Sequence, residues 1–134
     1  MSYTIRLLFL VSCVLISACK SSPNEESVGP YDGHYVVTQI LTTKYPQEPA
    51  RANIVGDVIL GQGPVNQWSG GIVDKQVTGL QSTRRAGPAQ NMQVESFLLN
   101  SLEGSQIKKK FGGNLEFEKN GKTVVWMEKI ELIR

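Results

Sequence analysis

Apolar and polar positions follow three different patterns along this chain. Leu7 to Ile16 (LLFLVSCVLI) is an almost unbroken apolar stretch, Lys20 to Pro30 (KSSPNEESVGP) is nearly all polar, and from Tyr31 apolar residues mostly alternate with polar ones. Alternation with period two predicts strands that bury one face. His34 to Thr43 (HYVVTQILTT), rich in β-branched residues, predicts a first strand, followed by a proline-marked loop over Lys44 to Ala50. Asn53 to Leu60 (NIVGDVIL) predicts another, with Ile54, Val58 and Leu60 on one face and a bend at Gly56, and GQGP at 61–64 breaks it. Asn66 to Val73 and Gln76 to Ser82 predict two strands around Asp74-Lys75, the first carrying Trp68 and Ile72 on a shared face.

The period changes once. Over Asn91 to Glu103 (NMQVESFLLNSLE), Val94, Phe97, Leu98 and Leu102, with Met92 and Leu99 beside them, fall on the stripe of an amphipathic helix. Asn91 is placed to cap its start, Gly104 to end it, and Pro88 to exclude an earlier beginning. After it, Asn120-Gly121 is a preferred type I′ hairpin dipeptide, because both central residues must take positive φ. Pairing Lys119 with Lys122 sets Phe117 against Val124 and Leu115 against Trp126, four apolar side chains on one side, with Glu116, Glu118 and Thr123 toward water.

The apolar stretch at 7–16 follows a weakly positive start at Arg6 and is too short for a spanning helix of about 20 residues, so it reads as the core of an export signal. Ile16-Ser17-Ala18-Cys19 then looks like a lipobox, which makes residues 1–18 a lipoprotein signal peptide, Cys19 the lipidated first residue of the mature protein, and 19–30 a flexible tether. Several acyl chains hold a protein permanently in a bilayer where a single one is marginal. Lys20 stands where an Asp would favour inner-membrane retention, so the expected address is the periplasm-facing side of a bacterial outer membrane. Cys13 is lost with the signal and the sulfur of Cys19 is taken by lipid, which leaves no disulfide. The 116 residues that remain make one domain, 31–134 after the tether, and must rely on packing alone. Their 13 basic side chains against 12 acidic ones argue against nucleic acid as a partner.

Three stretches resemble the META/HslJ family of small envelope proteins. GQGPVNQWSG (61–70) is similar to the family's glycine-rich turn with its Asn, here Asn66. VTGLQSTRRAGP (77–88) is similar to the strand ending in a Thr-Arg segment, and NMQVESFLLNSL (91–102) to the helix carrying a Glu, here Glu95; GGNLEFEKNGKTVVW (112–126) is similar to the closing strand pair. The resemblance covers about 53–132 and implies a mostly β, α+β fold, a small antiparallel barrel with one inserted helix. Family members often carry a cysteine just before the turn Asn and another after the Thr-Arg segment, where this chain has Val65 and Gly87. A similar gross plan occurs in type III secretion pilotins, small outer-membrane lipoproteins with a helix-interrupted barrel.

Little in the chain points to catalysis. His34, the single histidine, stands beside Asp32 with no second His or free Cys to complete a metal site or nucleophile pair. Ser69, Ser82, Ser96 and Ser101 have no evident base, Glu95 reads as a stabiliser of an early helical turn through the dipole or as an acceptor capping a backbone N–H group, and Asn66 as a turn former. The candidate binding residues are Arg84-Arg85 and Lys108-Lys109-Lys110, either solvated strand edges or, if they converge, a surface for anionic head groups or an acidic partner. Trp68 and Trp126 join them, as core or at the mouth of an apolar groove. The expectation is a monomeric, non-enzymatic envelope binding, assembly or stress-related factor with no cofactor, no metal and an envelope protein as partner. A pilotin-like chaperone and an inhibitor of a hydrolase, presenting the 61–67 loop to a cleft, are the alternatives.

Overall fold

The computed structural model describes residues 28–41, 43–44 and 50–132. The signal, Cys19, the tether up to residue 27 and the 45–49 part of the proline-marked loop lie outside the described residues.

Strands β1 (Gly33–Ile40), β2 (Thr43–Lys44), β3 (Arg51–Val55), β4 (Val58–Gln62), β5 (Gln67–Val73) and β6 (Gln76–Ser82) precede helix α1 (Ala89–Leu102), and β7 (Gln106–Lys109), β8 (Leu115–Lys119) and β9 (Lys122–Ile130) follow it. Every neighbour in the order β1-β3-β4-β5-β6-β7-β8-β9 is antiparallel, and β9 returns to pair with β1, so eight strands close a barrel with the short β2 extending the β1 edge past β3. The expected mostly β fold, a small antiparallel barrel with one inserted helix, is what the chain forms. One end of the barrel carries the 56–57, 74–75 and 110–114 turns; the other carries the 63–66 loop, the 83–88 linker and the 120–121 turn.

Two predicted hairpins stand as read: Asp74-Lys75 joins β5 to β6, and Asn120-Gly121 joins β8 to β9, all four residues taking positive φ. Three expectations are corrected. The first strand ends at Ile40, because Leu41 takes φ 54° and turns the chain into β2. The segment 53–60 is two strands rather than one bent one, since Gly56-Asp57 is a two-residue turn that pairs Val55 with Val58. That turn changes the phase of the alternation, so Ile54 and Ile59 are buried while Val58 and Leu60 are exposed. In the last hairpin Lys119 does pair with Lys122, but a bulge at Val124 shifts the rest by one residue. Phe117 therefore faces Val125, and Leu115 faces Met127. Trp126 comes opposite Glu116, on the other side from Leu115 and Phe117, and is half-buried.

The interior is filled by side chains. Tyr35, Ile54, Ile59, Val77, Leu115, Phe117, Val125 and Met127 are all but fully buried, each stabilising the barrel by roughly 1.5–3 kcal/mol if its apolar area is fully withdrawn from water. Trp68 lies across Gly61, whose missing side chain makes room for it: a Cβ there would come within 2.0 Å of the indole. Gly61→Ala is expected to displace the indole at a cost of about 1–3 kcal/mol, the usual range for overpacking. Loss of near-ultraviolet dichroism from Trp68 together with a lower midpoint of denaturation is the measurable result.

Tyr35 is withdrawn into the end where the chain enters, and its hydroxyl donates to the carbonyl of Tyr31. Burial, with the nearby charge of Asp32, raises its pKa above the ordinary tyrosine value. A raised acid pKa means that the folded state holds the proton more tightly, so this contribution is complete below the unfolded value of about 10 and is lost as pH rises through the folded one. The midpoint of thermal unfolding should therefore fall more steeply above pH about 10 in the parent than in Tyr35→Phe. Equal slopes would refute it.

Helix α1 starts two residues before the predicted Asn91, directly after Pro88, and no side chain caps it. It lies over the barrel end that carries the 63–66 loop. Its buried residues are Glu95, Leu98 and Leu102, whereas Phe97 and Met92 of the predicted stripe are exposed and Val94 and Leu99 only half-buried. Gly104, at φ 76°, ends it as expected. Where the helix ends, the sheet has a weak place. Strands β6 and β7 share a single ladder pair, Gln76 with Gln106, and are joined otherwise by bonds such as Val77 N to Ser105 O at 2.9 Å. Beyond it, the open edge of β6 is satisfied by Glu103, whose carboxylate accepts the N–H groups of Gly79 and Leu80 at 3.1 and 3.0 Å.

Candidate functional site

The candidate binding residues do not come together. Arg84 and Arg85 are exposed on the linker between β6 and α1, while Lys108–Lys110 run along β7 toward the opposite end of the barrel. Two of the three lysines are engaged with acids of β8: Lys108 with Glu118 at 2.7 Å, and Lys110 with Glu116 at 3.5 Å. Lys109 donates to the carbonyl of Pro30 at 3.2 Å. Of the two readings open for these runs, solvated strand edges or one converged surface, the geometry disfavours convergence, because Arg84-Arg85 and Lys108–Lys110 lie toward opposite ends of the barrel. Trp68 is core, with its indole N–H buried and without a partner among the described residues. Trp126 is on the outer side of β9.

Residues singled out for their resemblance to a family do meet, at the helix-covered end. Glu95 is 3% exposed, and its Oε2 accepts the N–H groups of Val65 at 3.0 Å and Asn66 at 2.9 Å. Gly63 leaves the space for it, as a Cβ there would stand 2.4 Å from the same oxygen. Asn66 is buried too, and its Oδ1 accepts the Thr83 hydroxyl at 2.9 Å and the Arg85 N–H at 2.7 Å. One polar node thus binds the β4–β5 loop, the β6–α1 linker and the helix. Next to it Val65 packs on Gly87, so closely that a Cβ on Gly87 would stand 3.4 Å from that of Val65. A backbone-satisfying carboxylate and an amide holding a turn are structural chemistry; neither is aimed at a space where substrate could sit.

The surface feature with binding chemistry was not foreseen. A groove of about 410 Å³ runs along the outer face of β1, β3, β4 and β5, with His34, Asn53, Arg51 and Gln67 as polar groups and Leu60 and Ile130 as apolar ones. The register assembles it: His34 is opposite Asn53 on one side and Ile130 on the other, and Asn53 is opposite Leu60. A leucine at an outward position is the sequence signal, legible only once Gly56-Asp57 is read as a turn. A second recess of about 360 Å³, lined by Gln76, Gln106, Glu118 and Lys119, is polar and lies along the β6–β7 seam. Among the described residues no group of three His, Cys, Asp or Glu is arranged to hold a metal ion, and no helix is long and apolar enough to cross a membrane.

Against family models, curated proteins and solved structures alike, the chain finds no match.

Proposed function

We propose that this chain is a META-like lipoprotein, held on the periplasmic side of a bacterial outer membrane by lipid on Cys19, and that its barrel is a non-enzymatic module that binds an envelope protein. The outer-face groove carries the reading. Leu60 is 47% exposed at its floor, and the polar side chains of His34, Asn53 and Gln67 border it, a mixture that suits an extended protein segment with alternating side chains better than an acyl chain. Membership of the family is supported by the way Asn66, Thr83, Arg85 and Glu95 converge, and by the contact of Val65 with Gly87, the two positions at which family members often carry cysteines. A pilotin-like chaperone draws support from the weak β6–β7 seam beside the helix. The inhibitor reading is weakened, because Glu95 pins the 63–66 loop and buries its Asn66.

The test pairs two variants of the full chain. Leu60→Arg is expected to reduce recovery of a crosslinked envelope protein at least tenfold, a loss of about 1.4 kcal/mol of binding, without changing the thermal midpoint. Cys19→Ala is expected to abolish incorporation of labelled palmitate. An acyl chain or a secretin tail recovered instead of a groove-bound partner would favour the pilotin-like reading, and palmitate retained in Cys19→Ala would sink the anchor.

A further inference from the structure

Among the described residues, the most exposed apolar side chains lie at one end of the barrel. Val28, Val55, Val73, Phe111 and Leu132 are each at least 60% exposed: Val28 lies on the N-terminal approach, Val55 and Val73 end β3 and β5 at the 56–57 and 74–75 turns, Phe111 lies in the 110–114 turn, and Leu132, which also borders the outer-face groove, follows β9. Large apolar residues exposed elsewhere, such as Leu60, Phe97 and Met92, stay below half. Phe111 is the extreme, at 99%. It is not loosely held: Lys110 N–H donates to the carbonyl of Asn114 at 2.7 Å and Gly113 N–H to that of Lys110 at 3.2 Å, closing a tight turn around it. Gly112 and Gly113, at φ 74° and 82°, supply the left-handed backbone that lets the ring stand at the tip. Leaving an aromatic ring wholly in water on a fixed turn opposes the hydrophobic effect unless something covers it.

The chain itself indicates what covers it. Its N-terminal side arrives on this same rim at Val28, and the sequence before it holds Cys19 and the apolar stretch 7–16. Only residues 20–27 separate Cys19 from the rim, a length that spans at most about 28 Å when fully extended. The rim is a ring of separate tips rather than a groove, and lysines flank the apolar ones, among them Lys110 beside Phe111 and Lys129, whose stem packs at Gly113. Asp57, Asp74 and Glu131 balance them, so the ring as a whole carries little net charge. Apolar tips at the level of ammonium and carboxylate groups match the layered polarity of a bilayer interface, where aromatic rings and snorkelling lysines are at home.

We infer that this end of the barrel docks on the surface of the bilayer, with Phe111 inserted at the boundary between head groups and acyl chains and the helix-covered end pointing away. The inference rests on the membrane-anchored reading for its geometry. In the docked state the groove stands sideways, open to a partner in the aqueous space.

The test uses the full chain purified from membranes and reconstituted into phosphatidylcholine–phosphatidylglycerol vesicles that contain lipid brominated high on the acyl chain. Phe111→Trp and, at the far end, Phe97→Trp replace exposed rings and leave the core untouched. Bromolipid should quench the emission added by Phe111→Trp several-fold more than that added by Phe97→Trp. Equal quenching in a chain that still floats with the vesicles would overturn the docking and leave the anchor intact. Preferential quenching in a chain whose Cys19 carries no lipid by mass would uphold the docking and remove the anchor, and absence of both quenching and flotation would end the two together.

Discussion

The double variant Val65→Cys/Gly87→Cys should form a disulfide on mild oxidation and raise the thermal midpoint by roughly 10–20 °C relative to its reduced form. The geometry is already close: a Cβ on Gly87 would stand 3.4 Å from that of Val65, at the short limit of the separation that disulfides span. The bridge would close the loop from 65 to 87, which contains β5 and β6, and loop closure of that size stabilises by about 3 kcal/mol when the native geometry is undistorted. Gly87→Cys alone tells strain apart from crosslinking, because a Cβ there also comes 2.7 Å from a Val65 methyl. The single variant should therefore lose stability and the oxidised double variant more than regain it. Failure of thiol titration to show the bridge would mean that Val65 and Gly87 are not in contact.

Glu95→Ala is expected to be the most damaging single substitution, costing about 4 kcal/mol and some 15–30 °C. Among the described residues the carboxylate is the sole acceptor for the N–H groups of Val65 and Asn66, and Asn66 is itself buried. A buried donor left without an acceptor costs roughly 1–3 kcal/mol, and here the buried Asn66 N–H and the half-buried Val65 N–H are orphaned at once. Glu95→Gln keeps a carbonyl oxygen in reach and should lose less than half as much. Urea denaturation of the three proteins checks both statements, and a similar loss in the two variants would show that charge rather than acceptor geometry holds the loop.

What could be read from the sequence depended on how local the determining chemistry is. The 74–75 and 120–121 hairpins were legible because residues that favour turns sit between runs that alternate, and the helix because its period differs from everything around it. The 56–57 turn was not, for Ile54, Val58 and Leu60 keep the spacing of one bent strand, and only pairing across the barrel shows that Ile59 takes the interior place. Trp126 was misplaced by one extra residue at Val124, a bulge that alternation cannot announce. That Glu95 takes a backbone N–H group is legible beside its dipole role, but not which groups it takes, since Val65 and Asn66 are some thirty residues away in the chain. The groove and the exposed rim were invisible for the same reason: each gathers side chains from four or five elements, and no window of sequence contains them.

The strand order also determines when the protein can be finished. β3 pairs with β1, and each strand from β4 onward pairs with the one before it or is linked across the helix, so most of the sheet can grow as synthesis proceeds; the exception is the ladder between β1 and β9, which joins His34 to Ile130 and Ile40 to Val125. Until β9 has left the ribosome or translocon, β1 presents a bare row of amide and carbonyl groups along its outer side, a template for unwanted association with other chains. A nascent chain of this kind needs shelter from the emergence of β1 until that of β9, and a truncation that removed β9 would aggregate rather than merely soften.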